Sequence, residues 1–502
     1  MPDQHTISAS ATSSSGGGNG NRKGSASKPS YVRILPQVQN YGWGKKGSAS
    51  KVAQMAFSEA SGKIDEGKRY AEMWMGTHFK APCQLADGEL SMSLLELIRS
   101  DPKWWLGDNP TPAVEENDLP FLFKVLSFNQ ASSIQVHPDR ELARQLQKQQ
   151  PDTYDANHKP EIGIPISREF ECLCGFRPLE EIEAFEKSVP ELRSLMLSSL
   201  SENGVATTPD PDSRIEQLYG RLMTRRADVV KEHVDKLVER CRKEGELQAQ
   251  TLGSTSNANE QLHSEEGNAD VAKTSQKTAA SERDPDLPQP IPANLRSVIL
   301  RLAEFYPGDV GIFSVFFLNY VYINRDEDDS SGSTGTKFIF CAANVPHTYL
   351  SGDVIECMSL SDNVVRAGLT PKFKDVSLLL QMCDYRDGLL SKLVQPGEEV
   401  RLPVPGRGKV HLYAPAKEWG ITDFRVYEIC GAVENVRECF QQAAIMLFLE
   451  ETEVRIESED TDNEGEESCT TFRAAKNSIY FVRAKAVVST LSDRGRCFVA
   501  TS

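Results

Sequence analysis

Apolar and polar positions change rhythm along this 502-residue chain, and the changes divide it. From residue 30 to 177, short apolar runs are punctuated by Gly, Pro and Asn, as β-strands are. Tyr31 to Pro36 reads as the first strand, and Tyr70 to His78 as an aromatic one. Between them, Gln39 to Ser48 is a Gly-rich turn with a packed Trp43, without the spacing of a phosphate-binding loop. Met92, Leu94, Leu95, Leu97 and Ile98 predict a short amphipathic helix over 92–106. A longer apolar strand begins at Leu119 and closes through Ser132-Ser133-Ile134-Gln135-Val136-His137-Pro138-Asp139. Asp139 is placed to cap a polar helix near 140–149. Pro160 disfavours helix at Lys159, so Asn157 to Ile164 is extended.

The period then lengthens. Ile182 and Phe185, Ile215, Leu218 and Leu222, and Val230, Val234 and Leu237 recur at spacings of three and four. An α-helical region over 178–309 therefore interrupts the β pattern. Within it, 243–291 has almost nothing to bury and reads as a disordered insertion, followed by a helix at about 293–305. From 310 the β pattern returns. Val310 to Ile323 looks too apolar for an edge strand, and residues 325–337 form a polar hairpin tip from which Phe338-Ile339-Phe340 comes back. A second β region fills 396–502 after the first ends near 395. Short strands between Gly/Pro turns predict barrels or jelly rolls, repeated.

Bulk properties narrow the class. Residues 1–29 are rich in Ser and Gly, and a disordered tail is the expectation. No run approaches the ~20 apolar residues that span a bilayer, so no membrane partner is expected. The net charge of −16 is concentrated in three polar segments. Residues 244–287, 325–337 and 457–467 hold nine, four and seven acids against three, two and no bases. The acidity is thus solvated loop, with no nucleic-acid partner implied. Eleven scattered cysteines without a CxxC pair point to reduced thiols and a cytoplasmic setting.

On a strand, Ser133, Gln135 and His137 face one side while Ile134 and Val136 face the other. An imidazole and an amide oxygen on a rigid support can both bind a metal. Glu161 offers a carboxylate and His347, in Asn344-Val345-Pro346-His347-Thr348-Tyr349, a second imidazole. Gln135, His137, Glu161 and His347 form a set suited to zinc, and also to manganese, iron or cobalt. Closure of that set depends on the fold, and His78 is a further histidine within an aromatic strand.

Seven stretches in order carry a family resemblance: Gln-Asn-Tyr-Gly-Trp-Gly at 39–44, Tyr-Ala-Glu-Met-Trp-Met-Gly-Thr-His at 70–78, Leu-Pro-Phe-Leu-Phe-Lys-Val-Leu at 119–126, Ser-Ile-Gln-Val-His-Pro at 133–138, Asn-His-Lys-Pro-Glu at 157–161, Val-Pro-His-Thr-Tyr at 345–349 and Ser-Asp-Asn-Val-Val-Arg-Ala-Gly-Leu-Thr-Pro-Lys at 361–372. Together they resemble the type I mannose-6-phosphate isomerases of the cupin superfamily. The resemblance implies a mainly β protein with an inserted helical domain, a catalytic cupin jelly roll over 30–177 and 310–395, and a second, structural one over 396–502. It implies one zinc per chain on Gln135, His137, Glu161 and His347, and a small-molecule sugar phosphate as partner. The implied reaction interconverts mannose 6-phosphate and fructose 6-phosphate through a cis-enediol, feeding GDP-mannose and glycan synthesis.

Such chemistry needs a base and a means of holding negative charge on oxygen. The planar fork of Arg366 suits an enediolate or phosphate. Ser133, Lys124, Lys372 and Tyr349 are the expected substrate contacts. Lys159, Glu356 and Asp362 remain alternatives for the base, and His158 is expected to assist ring opening. A monomer is the expected state. A metal-dependent oxygenase would favour histidine where Gln135 stands, and a sugar-storage protein would not need Arg366 and Lys372.

Overall fold

The computed structural model describes residues 28–57, 63–86, 92–113, 115–197, 211–261, 290–326, 335–402, 407–459 and 467–502. Most of the predicted tail 1–29, most of the acidic segments 325–337 and 457–467, and 262–289 of the insertion lie outside them.

One 13-residue strand, His347–Ser359, organises the first β body. Its second half pairs antiparallel with Phe121–Phe128, from Gly352 opposite Phe128 to Ser359 opposite Phe121. On the other side that half pairs with Glu161–Pro165. Its first half pairs instead with Glu169–Phe176 and, at His347, with Gln135 of Ile134–Val136. One strand thus serves two sheets, and it changes sheet at Gly352. Gly352 has φ of +110°, and a Cβ there would lie 2.8 Å from the carbonyl oxygen of Glu169. Gly352→Ala is therefore expected to destabilise the protein by about 1–3 kcal/mol, through left-handed strain and the clash. Urea denaturation checks this; unchanged stability would show that the bend tolerates a side chain.

The larger sheet runs Val394–Pro396, Lys337–Cys341, Glu161–Pro165, His347–Ser359, Phe121–Phe128, Glu72–Met75 and Gln37–Gln39. Met73, Phe123, Val125, Ile162, Ile355 and Cys357 are buried in the main apolar core. Every residue of Phe121–Phe128 is buried, Lys124 and Ser127 included, which is why the strand shows no apolar–polar alternation.

Four predicted boundaries move. The expected strand through His137 is two strands, separated by a turn at 129–133 where Asn129 N–H donates to Trp43 O and Ser132 N–H to Tyr349 O. Trp43 stacks on Phe128 at 4.4 Å, packing the Gly-rich turn against the sheet. The helix expected over 92–106 is two, Leu94–Ser100 and Pro102–Leu106. Pro102 breaks the first, and Asp101 caps the second by accepting from Trp104 N–H. Residues Val310–Phe316 form a 3-10 helix, not a strand. Leu318–Asn324 is an edge strand, paired only with Glu169–Phe176. Its neighbours are apolar because Phe313, Phe316, Phe317 and Leu318 pack into the helical core. Lys337–Cys341 joins the other sheet rather than returning along that strand.

The helical region comprises Leu179–Ser188, Pro190–Leu197, Pro211–Met223, Ala227–Gln261 and Ala293–Phe305. Ile182, Ile215, Leu218, Leu222, Val230, Val234, Leu237, Val298 and Leu302 share one core, as their spacing predicts. The insertion expected to be disordered from 243 starts as helix, up to Gln261. Glu244 accepts from Ile291 N–H at 2.9 Å, tying the two ends of that stretch together. No helix among the described residues is long and apolar enough to cross a membrane.

The C-terminal body has two sheets. One runs Glu398–Glu399, Lys409–Tyr413, Arg425–Cys430, Arg496–Thr501, Ala444–Phe448, Ile479–Val482, Tyr31–Leu35 and Gln84–Leu85. The first strand of the chain therefore pairs into this body, although the expected division placed residues 30–177 in the other. The other runs Val433–Val436, Val487–Thr490, Thr452–Glu459 and Glu467–Ala474.

Candidate active site

His347 lies opposite Gln135 in register, and Gln135 lies opposite Arg366 of the strand Val365–Gly368. Directly paired residues share a face, so these three side chains issue from one row. His137 follows immediately. Its Nδ1 is 2.6 Å from the carbonyl oxygen of Asn363, and Nδ1 of His347 is 2.9 Å from that of Val345. A carbonyl can only accept, so each Nδ1 carries a proton, and Nε2 is the nitrogen of each ring left for a metal. Both Nε2 atoms face Glu161, at 3.5 Å from Oε1 for His137 and 3.4 Å from Oε2 for His347.

Ligand atoms of His137, Glu161 and His347 all lie within 4.8 Å of one another, and all three residues are buried. Nε2 of His137 is sealed from solvent with no hydrogen-bond partner. A buried nitrogen without a partner is costly, and a cation at this place would satisfy it. Burial, reinforced by the charge of Lys159, holds the His137 pKa down at about 4, so the imidazole stays neutral. Burial opposes ionisation of Glu161, but Lys159 and His137 overcome it and hold the carboxyl well below its usual range. Burial would lower the His347 pKa, but Cys341 and Glu161 overcome it and raise it, so a metal there would displace a proton. Two imidazoles and a carboxylate are a donor set that fits a divalent metal.

Beside this cluster runs a row of buried charges. Trp74, Lys124, Glu356 and Gly163 are in register across four strands. Nζ of Lys124 is 3.1 Å from Glu356 Oε2 and 3.6 Å from Glu72 Oε2. Trp74 Nε1–H donates to Glu72 Oε2 at 2.6 Å, and Lys124 sits over the Trp74 ring. Nζ of Lys159 donates to Glu161 Oε1 at 2.7 Å. Burial and the charge of Glu161 push the Glu356 carboxyl up to about 7.

Lys124, expected as a substrate contact, is thus enclosed between two carboxylates. Lys124→Met would strand both of them. The expected cost is about 3 kcal/mol, because breaking a buried pair leaves its partner uncompensated. A loss below ~1 kcal/mol in chemical denaturation would contradict this role.

The other candidates separate. Arg366 is half-buried, has Tyr154 nearby, and makes no ion pair among the described residues. His158 Nε2 is 3.1 Å from Asp423 Oδ2 of the C-terminal body. Asp362 is bound by Lys80 at 2.6 Å and His78 at 3.3 Å. Although burial opposes it, the hydrogen bonds and charge from these two partners hold the Asp362 carboxyl well below the usual range, which makes it a poor base. Ser133 is half-buried, while Lys372 is exposed beyond the end of Val365–Gly368. Tyr349 is packed between Phe128 and Phe170, with its hydroxyl 3.8 Å from Cys341 Sγ. That is a core position, not an accessible contact.

Glu72, Trp74, Asn363 and Asp423 escaped sequence reasoning. The first two left a signal, a carboxylate and an indole alternating along an apolar strand. Asn363 acts through its backbone, and Asp423 lies 265 residues from the histidine it meets, so neither left one.

A β body of two sheets sharing a bent strand, with a helical insertion and a buried His/Glu/His cluster, defines a mainly β protein built around a candidate metal site. The family description of the type I phosphomannose isomerase catalytic domain matches residues 31–179, and that of the helical insertion domain matches 256–318. Mannose-6-phosphate isomerase of Candida albicans is 35% identical over 404 residues, spanning 78% of this chain and 80% of the relative. The Homo sapiens protein of that name is 34% identical over 433 residues, spanning 84% and 88%. A Salmonella typhimurium mannose 6-phosphate isomerase, solved bound to substrate and zinc, superposes with a TM-score of 0.66 at 22% identity, covering 94% of this chain and all of that one. The chain belongs to the type I phosphomannose isomerase family.

Proposed function

We propose that this chain is a zinc-dependent aldose–ketose isomerase that interconverts mannose 6-phosphate and fructose 6-phosphate, supplying nucleotide-sugar and glycan synthesis. The observation that carries the proposal is the His137, Glu161 and His347 cluster, with a buried unpartnered Nε2, beside a row of buried Lys and Glu side chains. The two-sheet body around His347–Ser359 supports a cupin-type jelly roll, and the two sheets of the C-terminal body a second one.

Gln135, His137, Glu161 and His347 would hold the zinc, which supplies Lewis-acid polarisation of a sugar oxygen. His158 takes the proton from the anomeric hydroxyl as the ring opens. Glu356 moves the proton between C2 and C1, since a carboxyl near 7 can both take and return it at neutral pH. Lys159, whose Nζ donates to Glu161, stabilises with Arg366 the negative oxygen of the enediol. Ser133 and Lys372 contact the phosphate.

The test is incubation of the zinc-loaded protein with mannose 6-phosphate, followed by assay for fructose 6-phosphate. Conversion to an equilibrium mixture from either side is expected. No conversion by folded, zinc-loaded protein would overturn the proposal.

A further inference from the structure

We infer that Asp155 is a positioning residue for the metal. Through Asn363 it fixes the two irregular segments that set His137 and Glu161 against each other. The inference rests on the reading of His137 and Glu161 as metal ligands.

Two stretches beside the cluster have no regular structure of their own. Residues 154–160 lead into Glu161–Pro165, and residues 360–364 lead into Val365–Gly368. The carbonyl that accepts from His137 Nδ1, that of Asn363, lies in the second stretch. No strand pairing sets its direction, so side chains must satisfy and orient the backbone there.

Asp155 and Asn363 do this reciprocally. Asp155 N–H donates to Asn363 Oδ1 at 2.9 Å, and Asn363 Nδ2 donates back to the Asp155 carbonyl oxygen at 2.8 Å. The same Nδ2 reaches the carbonyl oxygen of Asn157 at 2.8 Å. Asn363 is 1% exposed, so these bonds are made away from water. The Asp155 carboxylate gathers further donors. Oδ1 accepts from Asn157 N–H at 2.9 Å, Oδ2 accepts from Asp362 N–H at 2.8 Å, and Ser361 Oγ lies 2.9 Å from Oδ1. Ser361 Oγ in turn accepts from Asn363 N–H at 3.2 Å.

Both carboxylate oxygens thus face a backbone N–H. An acceptor-only group suits that position, and an amide would turn its own N–H bonds against one of those donors whichever way it faced.

The knot reaches two ligands. Asn363 holds the His137 ring at 2.6 Å, which keeps Nε2 toward Glu161. Asn157, four residues before Glu161, is tied to the same Asn363 amide. The strands Ile134–Val136 and Glu161–Pro165, which lead out of and into this region, are not paired with each other. Asp155 and Asn363 therefore link the surroundings of the two ligands directly, although neither side chain is a ligand.

The test is metal binding by the full chain and by its Asp155→Asn and Ser361→Ala variants. Each is stripped of metal and titrated with zinc against a competing chelator, then with Co2+ followed by visible absorption, and the melting of each metal-free protein is recorded. Asp155→Asn is expected to weaken zinc binding by about 10–100-fold and to change the Co2+ bands, as loss of a group that orients a ligand does. Ser361→Ala removes one hydrogen-bonding partner without setting like groups together, and should weaken zinc by roughly 2–10-fold. A purely structural role would lower metal-free melting while leaving zinc affinity and the Co2+ bands of the folded protein unchanged. That result in Asp155→Asn would overturn the inference. Should Asp155→Asn fail to fold, the same result in Ser361→Ala would overturn it. Failure of the unaltered protein to bind either ion would instead sink the reading of His137 and Glu161 as ligands, and the inference with it.

Discussion

Arg366→Ala is expected to lower kcat by roughly 100–1,000-fold while leaving zinc content unchanged. The size follows from placement. Arg366 is in register with Gln135, which is itself in register with His347, so its guanidinium issues from the row that carries the proposed ligands. It is half-buried, and no carboxylate among the described residues neutralises it, unlike Lys124 and Lys159. A cation kept free in a partly dry site acts on charge that appears during reaction, and such charge resides on the enediolate oxygen. Arg366→Lys should recover only part of the rate, because an ammonium lacks the planar fork. Steady-state kinetics with metal analysis on the same samples decides the matter. Near-wild-type kcat in the alanine variant would remove Arg366 from the mechanism.

His347→Ala is expected to weaken zinc binding by at least roughly 100-fold and to abolish turnover at limiting metal. His347 is buried, its Nδ1 is fixed by Val345, and its Nε2 faces Glu161 at 3.4 Å. No neighbouring imidazole can replace it, because His137 is held separately by Asn363. The holo protein should also lose the stabilisation that a bound metal confers, so its melting temperature should cease to rise with added zinc. A full equivalent of zinc retained after dialysis would contradict the ligand set.

How much of this was legible from sequence varies by residue. Gln135 and His137 could be read as neighbours because strand alternation puts them on one side, and Pro160 marks Glu161 as extended. Asp139 was readable as a helix cap, and it accepts from Leu142 N–H as the first turn requires. His347 joins the cluster only because His347–Ser359 crosses both sheets, a fact of topology that spacing does not encode. Lys124 read as an available cation because an isolated charge in an apolar strand looks the same whether it faces water or a buried carboxylate. Val310–Phe316 read as a strand because continuous apolarity reports burial without its period. Asp423 lies in another body, and no local pattern could have tied it to His158.

The most direct test of the account is isomerisation of mannose 6-phosphate measured on one preparation as isolated, after chelation, and after stoichiometric zinc is returned. The account predicts loss of activity with the metal and recovery at about one zinc per chain. Full activity in protein shown to be free of metal would contradict it.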